Sequence, residues 1–277
     1  MGCLPRRRAE ADRHVHAPKP QPWRCGDAQR LPCHQFTTIG VQGMSLRRFA
    51  VWSCVVPVCL FVAGSLLAAE PEEGFVSMFN GKDLTGWEGK PGWWYVEDGA
   101  ITSQSTPEKP CTKAHYLIWR GGAPGDFEMR FCYKLIGGNS GVQFRSRELP
   151  DFDTFGYQAD MEAGTQWTGC LFEHARGGLA MRGQKVVIDE DGKKTITPIG
   201  DPAELLKHVK PNDWNVYRII ARGPEITLEI NGVVMTQAID RQRDKAAREG
   251  IIALQMHPGP PMKVQFKNLR IKMFDKK

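Results

Sequence analysis

Short turn signals recur along the chain from residue 80 onward, and they limit its fold more than any other feature. Asn-Gly, Asp-Gly or Gly-Gly-Asn stands at residues 80–81, 98–99, 137–139, 191–192 and 231–232. Apolar and polar residues alternate between these turns, most clearly from Phe127 to Leu135. A period of two bounded by such turns is typical of antiparallel strands. The sequence therefore predicts an all-β sandwich of two antiparallel sheets.

Helices are predicted to be few and short. Residues 201–206 start with Asp201, followed by Pro202 at the first helical position and Glu204 at the third. These residue types are favoured at the start of a helix. Residues 241–249 fit either a second short helix or a charged loop. Neither segment is long enough to carry the core, so the prediction is a sandwich with one or two short helices.

The chain divides into three segments of different composition. Residues 1–43 are rich in Arg, Pro, His and Cys, and are predicted to be a disordered leader or a mis-assigned start. Residues 44–69 combine a basic start, an apolar run and a small-residue exit, which is the pattern of a secretory signal peptide. An uncleaved membrane anchor is the alternative, because about 20 apolar residues can span a bilayer. Cleavage would leave residues 70–277 as one domain in the periplasm or outside the cell, without stable membrane insertion.

The charge balance argues against a nucleic-acid partner. The formal net charge is +6, but residues 1–69 hold nine Lys and Arg against three Asp and Glu. Residues 70–277 hold 28 basic and 28 acidic side chains. A neutral domain without a basic stripe lacks the electrostatic footprint of nucleic-acid binding. It suits an uncharged small ligand such as a sugar.

Only three of the eight cysteines lie in the predicted domain. They are Cys111, Cys132 and Cys170, and no Cys-x-x-Cys pair is present. An odd number in an oxidising compartment fits one disulfide with a free thiol, or three buried free thiols. The spacing gives no support to a zinc ribbon or a thioredoxin-like site.

Polar side chains alternate with apolar ones between residues 139 and 176, and again just before residue 258. If these strands are neighbours in one sheet, their polar faces merge into a floor that could bind a ligand. The candidate site residues are Gln143, Arg145, Tyr157, Gln158, Asp160, Glu173, Arg176, Gln255 and His257.

Several of these residues also have a purely structural interpretation. Arg145 and Asp160 could form an ion pair, His257 could cap a strand end, and Glu173 could be a solvated carboxylate. The chain has no Gly-rich phosphate loop, no Gly-x-Ser-x-Gly elbow and no His-Glu-x-x-His helix. Carboxylate or histidine chemistry is what remains. The early tryptophans, such as Trp87 and Trp94, could stack on sugars or simply fill the core.

Six short motifs stand in order between residues 79 and 257. They are FNGKDLTGW at 79–87, Trp94 with Asp98-Gly99, NSGVQFR at 139–145, GYQAD at 156–160, Trp214-Asn215 and LQMH at 254–257. Their order and spacing resemble the 3-keto-disaccharide (3-keto-glycoside) hydrolase family over roughly residues 75–273. The resemblance implies a concanavalin-like jelly-roll sandwich, an exported protein and cleavage of a small carbohydrate substrate.

The chain departs from the commoner pattern of that family at one position. Many members carry Gly-Tyr-Glu where this chain has Gly-Tyr-Gln, with Gln158 as the third residue. A catalytic acid must then come from elsewhere, and Asp160 and Glu173 are the available carboxylates.

The chemistry of a 3-keto-glycoside suggests a role for each candidate. The 3-keto group acidifies the proton at C2, so a base can remove it and the enolate can expel the aglycone from C1. We expect Asp160 or His257 as the base, Glu173 as the acid and Arg145 as the group that stabilises the oxyanion. The expected substrate-binding residues are Gln143, Tyr157, Gln158, Arg176 and Gln255. A divalent cation held by Asp160, Glu173 or His257 could take part of the Arg145 role.

Two other functions are compatible with the same sequence. A non-catalytic carbohydrate-binding module would use the same polar face without an acid–base pair. A β-rich structural domain of an exported protein would need no small ligand, although the polar strand faces count against it.

Overall fold

The computed structural model describes Cys25 and residues 73–275. Apart from Cys25, the predicted leader and signal peptide lie outside the described residues. The described part contains seventeen strands, one short helix, α1 (Pro202–Leu206), and a 3-10 turn at Pro150–Phe152. The predicted all-β architecture is confirmed.

The strands follow one another with short connections. In chain order they are β1 (Val76–Ser77), β2 (Trp87–Gly89), β3 (Trp94–Glu97), β4 (Ala100–Gln104), β5 (His115–Trp119), β6 (Phe127–Ile136), β7 (Asn139–Leu149), β8 (Asp153–Glu162), β9 (Leu171–Glu173), β10 (Gly177–Ala180), β11 (Gln184–Ile188), β12 (Lys194–Pro198), β13 (Asn215–Arg222), β14 (Glu225–Ile230), β15 (Val233–Asp240), β16 (Ile251–Met256) and β17 (Lys263–Met273).

Two sheets pack face to face. The first sheet has the order β12-β11-β15-β14-β13-β6-β17-β4-β3, with β1 paired to β17. The second sheet has the order β10-β9-β8-β7-β16-β5-β2. The ladders are antiparallel except for β11–β15, which is parallel and departs from the predicted purely antiparallel arrangement. Each sheet therefore has an inner face toward its partner and an outer face turned away from it.

Large apolar side chains fill the space between the sheets. Phe131 of the first sheet stacks on Tyr217 at a centroid distance of 5.3 Å, and Phe144 of the second stacks on Tyr157 at 5.7 Å. Burying one large apolar side chain contributes about 1.5–3 kcal/mol. Trp87 and Trp94 belong to this core, which confirms the structural interpretation of these two rings.

Local signals in the sequence are confirmed at several elements. Asn231 and Gly232 both have positive φ (51° and 81°), as a type I′ hairpin turn requires. The Asp201 side chain accepts hydrogen bonds from the backbone N–H groups of residues 203 and 204 at the start of α1. Residues 241–249 form turns and loop rather than a second helix. Between residues 73 and 275, no helix is long and apolar enough to cross a bilayer.

The cysteines depart from both alternatives that the sequence suggested. Cys132 forms a disulfide with Cys25, whereas Cys111 and Cys170 are free and buried. Neither alternative included Cys25, because residue 25 lies in the predicted leader and only three cysteines follow residue 69. The bond links the predicted leader to the first sheet.

The hairpin of β7 and β8 bends where a bulge interrupts their register. The shift lies between Phe144 and Arg147, and Arg145 has a φ of 45° there. Beyond the bend, residues 148–154 form the hairpin tip. Phe152 of the tip packs against a small apolar cluster that contains Tyr116 and Ile118 of β5. The tip thus lies over the outer face of the second sheet.

Ion pairs hold the hairpin tip in this position. Lys90 Nζ lies 2.7 Å from Asp151 Oδ2, and Arg120 Nη1 lies 2.5 Å from Glu148 Oε2. These pairs are partly exposed, so each one contributes little by itself. With the Phe152 contact, they close one side of the outer face and leave the other side open.

Candidate functional site

Polar side chains from four neighbouring strands meet on the outer face of the second sheet. Gln158 lies directly opposite Gln143, and Gln143 lies opposite Ala253. One step along the strands, Asp160 lies opposite Gly141, and Gln255 opposite Tyr116. We call Tyr116, Gln143, Gln158, Asp160 and Gln255 the polar face. All five side chains are buried.

A chain of hydrogen bonds runs through the polar face to Asp160. Ser146 Oγ donates to Gln143 Oε1 (2.8 Å), and Gln143 Nε2 donates to Gln158 Oε1 (2.6 Å). Gln158 Nε2 then donates to Asp160 Oδ1 (2.6 Å). A primary amide carries two N–H donors, and each of these bonds uses one. The chain therefore orients the two amides and leaves each with a second donor.

Burial changes the protonation of Asp160. It raises the pKa of the carboxyl from 3.8 to about 8, although the hydrogen bond from Gln158 opposes the shift. The nearby Glu162 carboxylate adds to the increase in this pKa. A carboxyl of this kind is mostly protonated at pH 7 and is a stronger base than usual once ionised. Strongly shifted groups of this type cluster at functional sites.

Tyr116 and Gln255 form the second part of the polar face. Gln255 Nε2 donates to the Tyr116 hydroxyl (3.1 Å), and burial raises the pKa of Tyr116. Gln255 Oε1 is buried and has no hydrogen-bond partner in the described part of the chain. A buried polar atom without a hydrogen bond lowers the free energy of unfolding, unless a ligand or a water molecule donates a hydrogen bond to it. Tyr116 was not among the residues predicted from the sequence. Its alternation with the core residue Leu117 is the signal that places it on the outer face of the second sheet.

Gly141 leaves the space that Gln158 occupies. A methyl group at position 141 would lie 2.5 Å from Gln158 Cγ and 2.6 Å from its amide carbon. Gly141→Ala should therefore displace the Gln158 amide from Asp160 and destabilise the fold by about 1–3 kcal/mol. Urea unfolding would measure this loss. The double variant Gly141→Ala/Gln158→Ala should recover part of the lost free energy of unfolding, because the side chain that clashes is removed. If the effects of the two single changes on this free energy simply add, the clash between position 141 and Gln158 is contradicted.

The structure places Arg145 away from the polar face. The bulge in β7 turns its side chain toward loops of the first sheet, as bulges commonly re-aim side chains. Its guanidinium donates to the carbonyls of Gly125 (2.9 Å) and Gly223 (2.7 Å), and to Asp126 Oδ1 (2.9 Å). The expected oxyanion role and the alternative Arg145–Asp160 ion pair both fail for this reason. Arg145 holds two loops together.

Glu173 also lies apart from Asp160. It stands opposite Tyr157, so both point into the space between the sheets, whereas Asp160 points outward. Arg176 Nε lies 2.7 Å from Glu173 Oε2, and Arg176 Nη2 lies 2.8 Å from Asp240 Oδ2. The Tyr157 hydroxyl donates to the same Asp240 oxygen (2.5 Å). We call Tyr157, Glu173, Arg176 and Asp240 the interior ion cluster.

The interior ion cluster corrects three expected roles. Glu173 cannot act as the acid partner of a base on the opposite face of its own sheet. Tyr157 and Arg176 are likewise engaged inside the sandwich rather than at the polar face. Alternation along residues 156–161 puts Tyr157 on the face opposite to Gln158, but it gives no partner for Glu173.

His257 stays near the polar face. It follows the last residue of β16 and continues the alternation of Gln255 toward the end of the strand. The ring is half-buried, and its Nδ1 lies 2.6 Å from the carbonyl oxygen of Pro258. We therefore place His257 at the rim of the face rather than within the hydrogen-bonded chain.

The three residues expected to hold a divalent cation do not form one ligand set. Glu173 is in the interior ion cluster, Asp160 is on the outer face and His257 is at its rim. Across residues 73–275, no three or more His, Cys, Asp or Glu side chains group closely enough to hold a metal ion.

Two open clefts lie elsewhere on the molecule. The larger has a volume of about 620 Å³ and is lined by residues that include Asp126, Arg222 and Arg248. The smaller, of about 420 Å³, shares Arg248 and adds Arg241. Neither cleft includes a residue of the polar face. The raised pKa and the converging amides identify the polar face as the better candidate site.

These features define a two-sheet β-sandwich protein with a buried carboxyl and three amides on one outer face. The chain belongs to the family of 3-keto-alpha-glucoside-1,2-lyase-like domains, whose model matches residues 74–272. This confirms the resemblance seen in the sequence motifs. No curated protein matches the chain.

Solved structures share the fold at low sequence identity. One from Parabacteroides distasonis, a protein proposed to be a glycosyl hydrolase, has 18% identity and a TM-score of 0.50 and covers 72% of this chain and 99% of its own. A carbohydrate-binding module, CBM66 from Bacillus subtilis, has 15% identity and a TM-score of 0.45, with coverages of 69% and 98%. The laminarinase catalytic domain of Thermotoga maritima has 10% identity and a TM-score of 0.45, with coverages of 73% and 97%. At 18% identity, the likeness to the Parabacteroides distasonis structure concerns the fold alone.

Proposed function

We propose that this protein is an exported enzyme that cleaves 3-keto-glycosides by elimination followed by hydration. The family supports a glycoside-related function. The observation that carries the proposal is Asp160, a buried carboxyl with a pKa raised to about 8 at the end of a chain of amides. This arrangement offers a base and hydrogen-bond donors on one face.

Asp160 takes the proton from C2 of the sugar. The adjacent C3 carbonyl makes that proton acidic, so an ionised carboxyl with an elevated pKa is a sufficient base. His257 was the other base suggested by the sequence. Its position at the rim, with Nδ1 against the Pro258 carbonyl, makes it the weaker candidate.

The amides of the polar face stabilise the charge that forms on the C3 oxygen. Gln143 and Gln158 are fixed by their mutual hydrogen bond, and each keeps one N–H donor. Pre-oriented donors of this kind stabilise an oxyanion without reorganisation during the reaction. They take the role that the sequence had suggested for Arg145.

Asp160 also carries the proton to the leaving group, because Glu173 lies in the interior ion cluster and Tyr116 lies under the hairpin tip on β5. Elimination breaks the C1–O bond, and the departing oxygen takes the proton that Asp160 removed from C2. Water then adds its oxygen to C1 and gives a proton to Asp160, which returns it to C2. The net products are the 3-keto sugar and the free alcohol.

The substrate test compares two simple compounds. We expect the purified domain to release methanol from methyl 3-keto-glucoside but not from methyl glucoside, because only the keto sugar has an acidic C2 proton. Equal cleavage of both compounds would contradict the elimination route. A control variant, Asp191→Asn, replaces a carboxylate at an exposed turn and should leave the rate of methanol release unchanged.

The pH dependence tests the base role of Asp160. Since the carboxylate form is required, kcat/KM should rise about tenfold per pH unit and level off near pH 8. Initial rates between pH 5.5 and 9 would measure this profile. A rate that falls over the same range would instead assign Asp160 as an acid.

A non-catalytic carbohydrate-binding function is the second candidate. One observation favours it: the polar face holds a single carboxyl, because Glu173 lies in the interior ion cluster. Binding of methyl 3-keto-glucoside without release of methanol would support this candidate against the enzyme.

Export is part of the same proposal and rests on residues 44–69. The Cys25–Cys132 disulfide requires residue 25 and the domain in one compartment, whereas residues before a cleaved signal peptide stay on the cytoplasmic side of the membrane. Export that begins with the signal at residues 44–69 would therefore proceed without this bond.

A further inference from the structure

Four ring side chains form a continuous strip beside the polar face. Trp167 and Phe172 have a centroid distance of 6.0 Å at an interplanar angle of 82°. Phe172 and His174 follow at 5.7 Å, and His174 and Phe155 at 5.5 Å. All four are half-buried. We call these four residues the aromatic ledge.

Two members of the aromatic ledge, Phe172 and Trp167, share the outer face with Asp160. Phe172 of β9 lies directly opposite Gln158 of β8, so their Cβ atoms are about 5 Å apart. Gly178 of β10 is opposite Phe172, and a Cβ at Gly178 would lie 3.4 Å from the Trp167 ring. The Trp167 ring therefore lies on the same face, at the open edge of the sheet.

Polar groups around the ledge are already engaged. Glu162 Oε2 accepts hydrogen bonds from the backbone N–H groups of Gln166 (2.9 Å) and Trp167 (3.0 Å). His174 Nδ1 lies 3.1 Å from the carbonyl oxygen of Gly156. Apart from the Trp167 indole N–H and His174 Nε2, the ledge thus offers ring surface rather than hydrogen-bonding groups. A flat apolar group fits it better than a second sugar rich in hydroxyls.

We propose that the aromatic ledge is the leaving-group subsite and that it selects glycosides with an aromatic aglycone. This inference rests on the proposed function, because it places the sugar over Asp160 and its aglycone toward β9. The polar face on one side and the ledge on the other match the two halves of an aryl glycoside. Sites for small molecules commonly combine an aromatic lining with a few fixed polar groups.

The test compares phenyl and methyl 3-keto-glucoside as substrates of three variants. Trp167→Ala and Phe172→Leu should each raise KM for the phenyl compound about tenfold, which corresponds to about 1.4 kcal/mol. KM for the methyl compound should change less than twofold. Trp214→Ala is the matched control, since Trp214 packs under Lys134 and Lys267 on the first sheet.

Two results would show that the aromatic ledge is not the leaving-group subsite, while leaving the proposed function intact. One is an equal change in KM for both substrates, and the other is no change for either. If neither substrate is turned over, the proposed function fails. Binding of phenyl and methyl β-glucoside, measured by isothermal titration calorimetry, then tests the ledge independently. Preference for the phenyl compound, lost in Trp167→Ala and Phe172→Leu, supports the ledge; equal binding overturns it.

Discussion

Asp160→Asn is expected to abolish cleavage of methyl 3-keto-glucoside and, at pH 8, to make the protein more stable. The amide keeps the shape of the carboxyl and can still accept the hydrogen bond from Gln158, but it cannot take a proton from C2. We expect kcat to fall about a hundredfold to ten-thousandfold, since removal of a general base typically costs two to four orders of magnitude.

The stability gain follows from the raised pKa of Asp160. The folded state holds the proton up to about pH 8, whereas the unfolded chain releases it near pH 3.8. The wild-type protein therefore loses stability as the pH rises through that interval. At pH 8 the loss amounts to about 3–5 kcal/mol, and Asn avoids it.

Urea unfolding of both proteins at pH 4 and pH 8 would measure this effect. The two free energies of unfolding should nearly coincide at pH 4 and diverge at pH 8, with Asp160→Asn the more stable. An Asp160→Asn protein that is inactive and also less stable at pH 8 would show that the carboxylate supports the fold rather than the reaction.

Arg176→Met is expected to destabilise the fold by about 3–5 kcal/mol at pH 7. The change leaves Glu173 and Asp240 buried without their common cation, and an unpaired buried charge has a cost of this size. Burial alone would raise the pKa of Asp240, but hydrogen bonds from Arg176 and Tyr157 outweigh it and lower this pKa. The contribution of Asp240 to stability is therefore present at neutral pH and is lost as the pH falls.

The control for Arg176→Met separates stability from catalysis. Glu173→Gln should lower the free energy of unfolding by less than about 2 kcal/mol, because Arg176 keeps an oxygen acceptor. Its kcat/KM on methyl 3-keto-glucoside should stay within about twofold of the wild type. A thousandfold loss of activity in a well-folded Glu173→Gln protein would restore the acid role that the sequence suggested.

The sandwich was predictable because its signals are local. Alternation along residues 127–135 identified β6, the Asn231-Gly232 pair identified a hairpin, and Asp201 with Pro202 identified the start of α1. Each of these signals depends on residues within one element. The order of the strands depends on pairs that are far apart in the chain, and it was not predictable.

The candidate site was predictable only in part, because some of its neighbours come together only through pairing between strands that are far apart in the chain. Gln158 and Asp160 were placed on one face by alternation, and the expected merging with Gln143 and Gln255 is confirmed by the register. Arg145 was misplaced because a bulge breaks the period of two at that residue. Phe172 and Tyr116 were missed because their positions beside the polar amides arise from pairing between strands.

The hairpin tip also limits the size of what can reach Asp160. Residues 148–154 cover the outer face of the second sheet over β5 and β16. The uncovered part of this face therefore extends only from β7 to the edge strand β10. Four strands at about 4.8 Å spacing span roughly 14 Å. A polysaccharide crossing the whole sheet would collide with the tip. The open edge instead admits the end of a chain or a short glycoside, entering from the side of the aromatic ledge.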